Sequence, residues 1–281
     1  MRIHYECFMC IADQCQRIIE MSTDDLEKRK KAAVFAAKLM SKLKEDSISG
    51  IVASEIFSEL YKFLGVEDPF KEYKERSNEL AKKVLGSIEK NLDIDLKTAL
   101  KLSIVGNIID FAVGYSLEKV EEDIIQLINE ELYIDNSKEL FDRLKDAKIL
   151  LYLTDNCGEI YFDKLFLKKI REEFPDIEVY IAGKEQPAIN DATVEDLRDA
   201  GLQEVGEIVS TGFGIVGVPF DRISGRFKEI FENADIIIAK GQANFETLNE
   251  LGDDRIFHLL KAKCKPIARE LGVPQGAILC I

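Results

Sequence analysis

The sequence predicts an α/β fold in two parts, a helical subdomain over residues 1–145 and a mostly parallel sheet with helices on both faces over residues 146–281. Two patterns predict it. Before about residue 147, apolar residues recur at three- and four-residue spacing and no strand-like run is present. From Ala147 onward, short runs rich in Ile, Val and Leu alternate with amphipathic segments, the form taken by repeated strand–helix units. A chain of 281 residues that is 46% hydrophobic can bury a core, and with six prolines and no low-complexity run it is expected to be globular throughout. No internal repeat is visible.

In the first part, residues 23–46 carry helical periodicity with Thr23 or Asp24 as cap, and the same spacing predicts helices over 51–64, 69–91, 96–112 and 120–131. In the second, strands are expected at 149–154, 178–182, 207–211, 235–239, 256–259 and 277–280. Helices are expected between them at 159–174, 194–200, 226–233 and 266–271. Strands this apolar need cover on both faces.

The formal charge of -14, with Lys and Arg scattered among Asp and Glu, opposes nucleic acid and anionic membranes as partners. A small phosphorylated metabolite remains compatible, because a bound divalent cation and a few lysines reverse the sign locally. No uncharged apolar stretch reaches the roughly eighteen residues of a membrane span. The opening MRIHYECFMC lacks the order of a secretory signal. A cytoplasmic location is therefore expected, with the six cysteines reduced. The sequence leaves open whether copies assemble into a homo-oligomer.

In open α/β sheets ligands bind outside the carboxyl ends of the strands. Three polar clusters fall there: Thr154-Asp155-Asn156-Cys157-Gly158-Glu159, the segment leading to Asn190-Asp191-Ala192-Thr193, and Lys240-Gly241-Gln242-Ala243-Asn244-Phe245-Glu246. Asp155, Asn156 and Asp191 offer hard oxygen donors suited to Mg²⁺ or Mn²⁺, whereas two histidines without ligand-like company make zinc a poorer fit. Gly158 permits a close turn into a helix whose free N–H groups favour an anion. Singly, Asp155-Asn156 also reads as a helix cap, and Asn190 to Thr193 as a turn and cap. Convergence of the three favours a site.

The motifs TDNCGE, INDAT and KGQANFE, in this order, resemble those of the damage-control phosphatase family, once grouped as a domain of unknown function. Cys7-x-x-Cys10, which points to the archaeal-type subfamily, and the segment Gly106-Asn107-Ile108-Ile109-Asp110 extend the resemblance over nearly the whole chain. It implies a helical subdomain packed on a Rossmann-like, mostly parallel three-layer sheet, and metal-dependent hydrolysis of small phosphate esters, sugar phosphates or damaged phosphometabolites with Mn, Ni, Co or Mg. It also implies metal ligands at Asp155, Asn156 and Asp191, and substrate contacts from Gln242, Ala243, Asn244, Phe245 and Glu246, with Glu159 a further contact. A phosphate-meeting lysine falls on Lys263, with Lys265 as rival. Phe245-Glu246 stands where larger members carry an aromatic followed by arginine.

Asn107 and Asp110, three apart on one helix face, are expected to reach the substrate from the helical part, the alternative for them being an interhelical or capping hydrogen bond. Catalysis is assigned to Asp155, Asp191, Lys240 and Lys263, with the lysines offsetting developing charge. Residue types leave open which aspartate is base and which nucleophile. Two other functions compete: a carboxyl methyltransferase using S-adenosylmethionine and a non-enzymatic nucleotide-binding protein. Gly212-Phe-Gly214-Ile-Val-Gly217 satisfies GxGxxG, but Val218-Pro219 interrupts the helix that a dinucleotide site needs, so a flexible loop beside the active site is expected. Cys7 and Cys10 read as buried thiols on a helix in preference to a metal or redox pair, and Cys157 lacks a histidine partner.

Overall fold

Near-continuous apolar runs such as Ile-Leu-Leu-Tyr-Leu and Ile-Ile-Ile-Ala can be strands only if both faces are covered, and the molecule is built around that demand. A computed structural model describes residues 1–108 and 117–281. Its helices are α1 (Tyr5–Ser22), α2 (Leu26–Met40), α3 (Ser49–Leu64), α4 (Lys71–Asn91), α5 (Leu96–Val105), α6 (Leu117–Asn129), α7 (Ser137–Leu144), α8 (Glu159–Glu173), α9 (Val194–Asp199), α10 (Gly225–Asn233), α11 (Gly241–Leu248) and α12 (Lys265–Leu271). The strands are β1 (Ile134–Asp135), β2 (Ile149–Leu153), β3 (Glu178–Gly183), β4 (Glu207–Ser210), β5 (Ile236–Lys240), β6 (Ile256–Lys261) and β7 (Ile278–Cys280).

The seven strands form one sheet in the order β1-β7-β6-β5-β2-β3-β4, parallel except where β6 meets β7. The chain therefore runs outward from β2 through β3 to β4, then returns to β2's other side with β5 and runs outward again. The order reverses between β2 and β5, and the crevice outside their carboxyl ends is where such a sheet takes a ligand.

Alternation along the strands divides the core. Leu150, Tyr152, Ile236 and Ile238 face Leu100, Phe162 and Phe166 of α5 and α8. Leu151, Leu153, Ile237 and Ala239 face Phe227 and Phe231 of α10. Helices α1 to α3 carry a separate core of Ile18, Ala32, Phe57 and Leu60.

All six expected strands and the four expected sheet helices are present within a residue or two at each end. Four expectations are corrected. The helix expected over 23–46 spans Leu26–Met40, and its cap is Asp25, which accepts from the Glu27 and Lys28 amides, not Thr23 or Asp24. Residues 134–135 form a strand before Ala147, because pairing with β7 defines this two-residue edge where no apolar run does. The helix expected over 96–112 leaves α-helical geometry at Val105 and tightens into a 3₁₀ turn at Gly106–Ile108, and its last residues, 109–112, lie outside the described residues. A Cβ at Gly106 would collide with the Phe162 ring, so only glycine lets the chain pass here. Residues 241–248, where no helix is expected from the sequence, form one that starts directly at the end of β5, and Asn244 bonds back to the Lys240 carbonyl at 2.7 Å.

Candidate active site

Because β2 and β5 are neighbours, the turn after β2 and the first turn of α11 meet at the crevice. The meeting is tight. Gly241 adopts φ 76°, and a Cβ there would strike the Asp155 carboxylate, so this position needs glycine for both its dihedral and its bulk. Asn244, also on α11, donates to the Thr154 carbonyl at 3.2 Å and so ties the two strand ends together.

The loop after β3 is bound to the loop after β2 by its backbone. Asn156 and Asp191 form an isolated antiparallel bridge, the Ala192 amide donates to the Asp155 carbonyl at 2.8 Å, and the Cys157 amide donates to the Asn190 carbonyl at 2.9 Å. Asp155, Asn156 and Asp191 are thereby brought together, all buried. Lys184, the residue immediately after β3, lies 3.5 Å from Asp191 and donates to the Gly217 carbonyl at 2.6 Å.

From the helical part, Asn107 Nδ2 donates to Asp155 Oδ2 at 3.2 Å and to the Glu159 carboxylate, while Asn107 Oδ1 is buried with no partner among the described residues. Asn156 Nδ2 also donates to Asp155 Oδ2, at 2.8 Å. Asp110 lies outside the described residues.

Beneath this rim sits a second polar group. Lys240 is fully buried, and its ammonium donates to Glu159, to Asp163 at 2.6 Å and to the Ser103 carbonyl at 2.9 Å, which uses all three of its N–H donors. Tyr152 donates to Asp163 at 2.7 Å.

The electrostatics differ between the two groups. Burial, followed by the charges of Asp191 and Glu159, pushes the Asp155 carboxyl well above its usual range, against weaker opposition from Lys263 and Lys240. Burial alone would lower Lys240, but the charges of Asp163 and Glu159 outweigh it and leave the ammonium at about 12. Burial raises Asp163 to about 7 despite Lys240.

The remaining expected residues disperse. Gln242 accepts from the Lys263 amide at 2.6 Å and turns its amide toward Cys264. Phe245 packs in the core edge-on to His258. Glu246 turns away to Ser49 and Gly50 at the start of α3, where burial raises its carboxyl to about 7. Of the rival lysines, Lys263 lies close enough to Asp155 to act on its ionisation, whereas Lys265 is exposed in the first turn of α12.

Other readings are also resolved. The helix after Asp155-Asn156 is capped at Gly158 (φ 83°), not by those side chains, and the Gly158 amide is given to Asn78 at 2.6 Å and not left for an anion. The turn and cap in the β3 loop do form, closed by Asp191 N to Ala188 O at 3.1 Å and by a Thr193–Asp196 capping box. Gly217, in the GxGxxG segment, packs directly on the Ala243 carbonyl of α11. Cys7 and Cys10 lie on α1 as expected, but Cys7 is half-buried and Cys10 exposed, because the buried stripe of the helix is Ile11, Cys15, Ile18 and Ile19.

Sequence reading passed over Lys184, Asp163 and Tyr152. Lys184 had a usable signal, since it follows a strand on the same sheet edge as the aspartates. Asp163 falls one turn after Glu159 on α8, a spacing that is legible once Glu159 is suspected.

Among the described residues no three histidine, cysteine or carboxylate side chains form a self-sufficient metal cage. What is present fits a hard divalent cation: two carboxylates and a carboxamide on adjoining loops, an unpartnered buried carboxamide oxygen on Asn107, and an aspartate crowded by like charge. Ions of this class bind through one or two carboxylates and retain waters.

A crowded carboxylate site thus stands at the switch point of a mostly parallel sheet, where such folds bind their ligands. The model of the damage-control phosphatase ARMT1-like domain matches residues 3–279, so the chain belongs to that family and is a phosphatase. Its family implies a divalent metal and a small phosphorylated substrate. It is 55% identical over 282 residues to damage-control phosphatase PH1575 of Pyrococcus horikoshii, covering 100% of this chain and 98% of the relative. A damage-control phosphatase of Archaeoglobus fulgidus is 34% identical, over 98% of this chain and 97% of its own length. A crystal structure of a DUF89 family protein from Pyrococcus horikoshii superposes with TM-score 0.96 at 55% identity, covering 100% of this chain and 99% of that one. Among the described residues no helix is long and apolar enough to cross a membrane.

Proposed function

We propose that the chain hydrolyses small phosphate monoesters, damaged phosphometabolites among them, using Mn²⁺, Ni²⁺, Co²⁺ or Mg²⁺ held by Asp155, Asn156 and Asp191. The observation that carries this reading is the crowding of Asp155 by Asp191 and Glu159 in a buried crevice, where two carboxamides donate to it. A divalent ion relieves that crowding and, when bound, supplies polarisation of a phosphoryl oxygen.

The chain's own groups divide the remaining work. Asn107 orients Asp155 through its amide, and its buried carbonyl oxygen has no partner among the described residues. Lys184 fixes Asp191 and anchors the 212–217 segment through the Gly217 carbonyl. Lys263, whose charge reaches Asp155, is suited to offset the charge of an incoming phosphoryl group. Lys240 has no donor to spare for substrate, so it acts by holding Glu159 in place. Gln242 connects Lys263 to α11 and so to the loop that meets Asp155.

Phosphate release from p-nitrophenyl phosphate and a panel of phosphometabolites, over the four cations and after chelation, tests the proposal. Asp155→Ala is expected to lower metal-stimulated turnover by about a thousandfold with the far-ultraviolet circular dichroism unchanged. Equal activity in chelated enzyme, or full activity in the variant, would sink the reading.

A further inference from the structure

Two residues before Asp191 the backbone is strained. Ile189 has φ 46°, the one positive φ outside glycine among the described residues. A β-branched side chain in this region is an outlier, since its Cβ crowds the backbone. Ile189 is the second residue of the turn that Asp191 N closes on Ala188 O, and with the positive φ confined to that position the turn is of the II′ kind, which glycine normally fills. Local preference and sequence disagree here.

Two contacts hold the strained residue. Its side chain packs against the core of α1 to α3, where every other contributor lies between Ile3 and Tyr73. Its amide donates to the Tyr61 hydroxyl at 3.1 Å, and Tyr61, on α3, is buried in that same core. On the far side of the turn, the Asn190 carbonyl accepts from Cys157 and the Ala192 amide donates to Asp155. The turn is thus fixed between the first three helices and the loop that follows β2. A glycine would relax the backbone but forfeit the hold on the helices.

We infer that Tyr61 and Ile189 are positioning residues, which clamp the Ala188–Asp191 turn so that the Asp191 carboxylate is held opposite Asp155. This rests on the reading of Asp155, Asn156 and Asp191 as cation ligands. It makes the first three helices part of the site's geometry although they supply no ligand. Backbone strain kept at such a position is expected where the surrounding structure over-determines it for function.

Ile189→Gly, Tyr61→Phe and Ile189→Val, made in the full chain, test the clamp by two readouts. The first is amide hydrogen exchange over residues 188–192 in metal-free protein, and the second is Mn²⁺ affinity from the electron paramagnetic resonance of free ion. Ile189→Gly and Tyr61→Phe are expected to speed exchange in this segment and to weaken Mn²⁺ binding by about tenfold or more, the scale seen when partners that orient metal ligands are lost. Ile189→Val, which keeps the anchor, is expected to behave as wild type. Unchanged exchange and affinity in both disruptive variants overturns the inference, and so does faster exchange with unchanged affinity. If wild-type protein binds no Mn²⁺, the cation reading itself falls, and exchange alone decides whether the two residues hold the turn.

Discussion

Two buried polar groups lie one above the other at the carboxyl edge of the sheet, and they are organised in opposite ways. In the lower one, Lys240 spends its three donors on Glu159, Asp163 and the Ser103 carbonyl, while Tyr152 supports Asp163. In the upper one, Asp155 is held by two carboxamides and crowded by acids. Burial is common to both, so burial does not distinguish structure from chemistry. The donor set does: an ammonium bonds the lower carboxylates directly, whereas neutral amides hold Asp155, and a cation adds most where like charge crowds a carboxylate.

The comparison is broken or sharpened first by stability. Lys240→Met leaves Glu159 and Asp163 buried without their cation and is expected to destabilise the fold by about 3–5 kcal/mol. Asp155→Ala, which relieves like-charge crowding, is expected to leave metal-free stability within about 1 kcal/mol of wild type or to raise it. Urea unfolding followed by circular dichroism measures both, and a reversed order would refute the distinction.

The next effect concerns where the groups meet. Gly241→Ala adds a clash with Asp155 to the strain of a positive φ, whereas Gly252→Ala, at φ 60° with open space around it, adds strain alone. The former is expected to cost about 1–3 kcal/mol and to lower phosphatase activity, the latter about 1 kcal/mol with activity retained. Thermal melts and phosphate release on the two variants separate strain from collision.

The smallest effect comes from Glu246, which belongs to neither group. Burial raises its carboxyl to about 7 in the folded chain against an ordinary 4.5, so the folded state keeps a proton that the unfolded state releases. The associated stability is complete below about pH 4.5 and is lost as pH rises through about 7. Between pH 6 and 8 wild type is expected to lose about 1–2 kcal/mol relative to Glu246→Gln, measured by urea unfolding across pH. Parallel profiles would show that the Ser49 contact leaves this carboxyl unshifted.

Legibility followed locality. Runs such as residues 149–153 and 236–240 announce buried parallel strands by composition alone, and the aspartates follow the strands at 149–153 and 178–183, so the site's edge could be read directly. β1 could not be read, since a two-residue strand exists only through its partner. Lys240 illustrates the other limit: as a lysine ending a strand beside the aspartates it reads as a catalytic cation, but α5 and α8 close over it and take its donors. Glu246 fails likewise, because the helix it lies on turns it toward α3.

By itself the sequence determined the α/β class, the places of the main strands and the oxygen-donor chemistry at their ends, all of which depend on short-range periodicity and side-chain type. Only the tertiary structure decided which buried lysine spends its donors inside the protein, which of Lys263 and Lys265 brings its charge to bear on Asp155, and why an isoleucine occupies a glycine turn beside Asp191. Those outcomes depend on contacts between residues far apart in the chain, where packing and field strength override local preference.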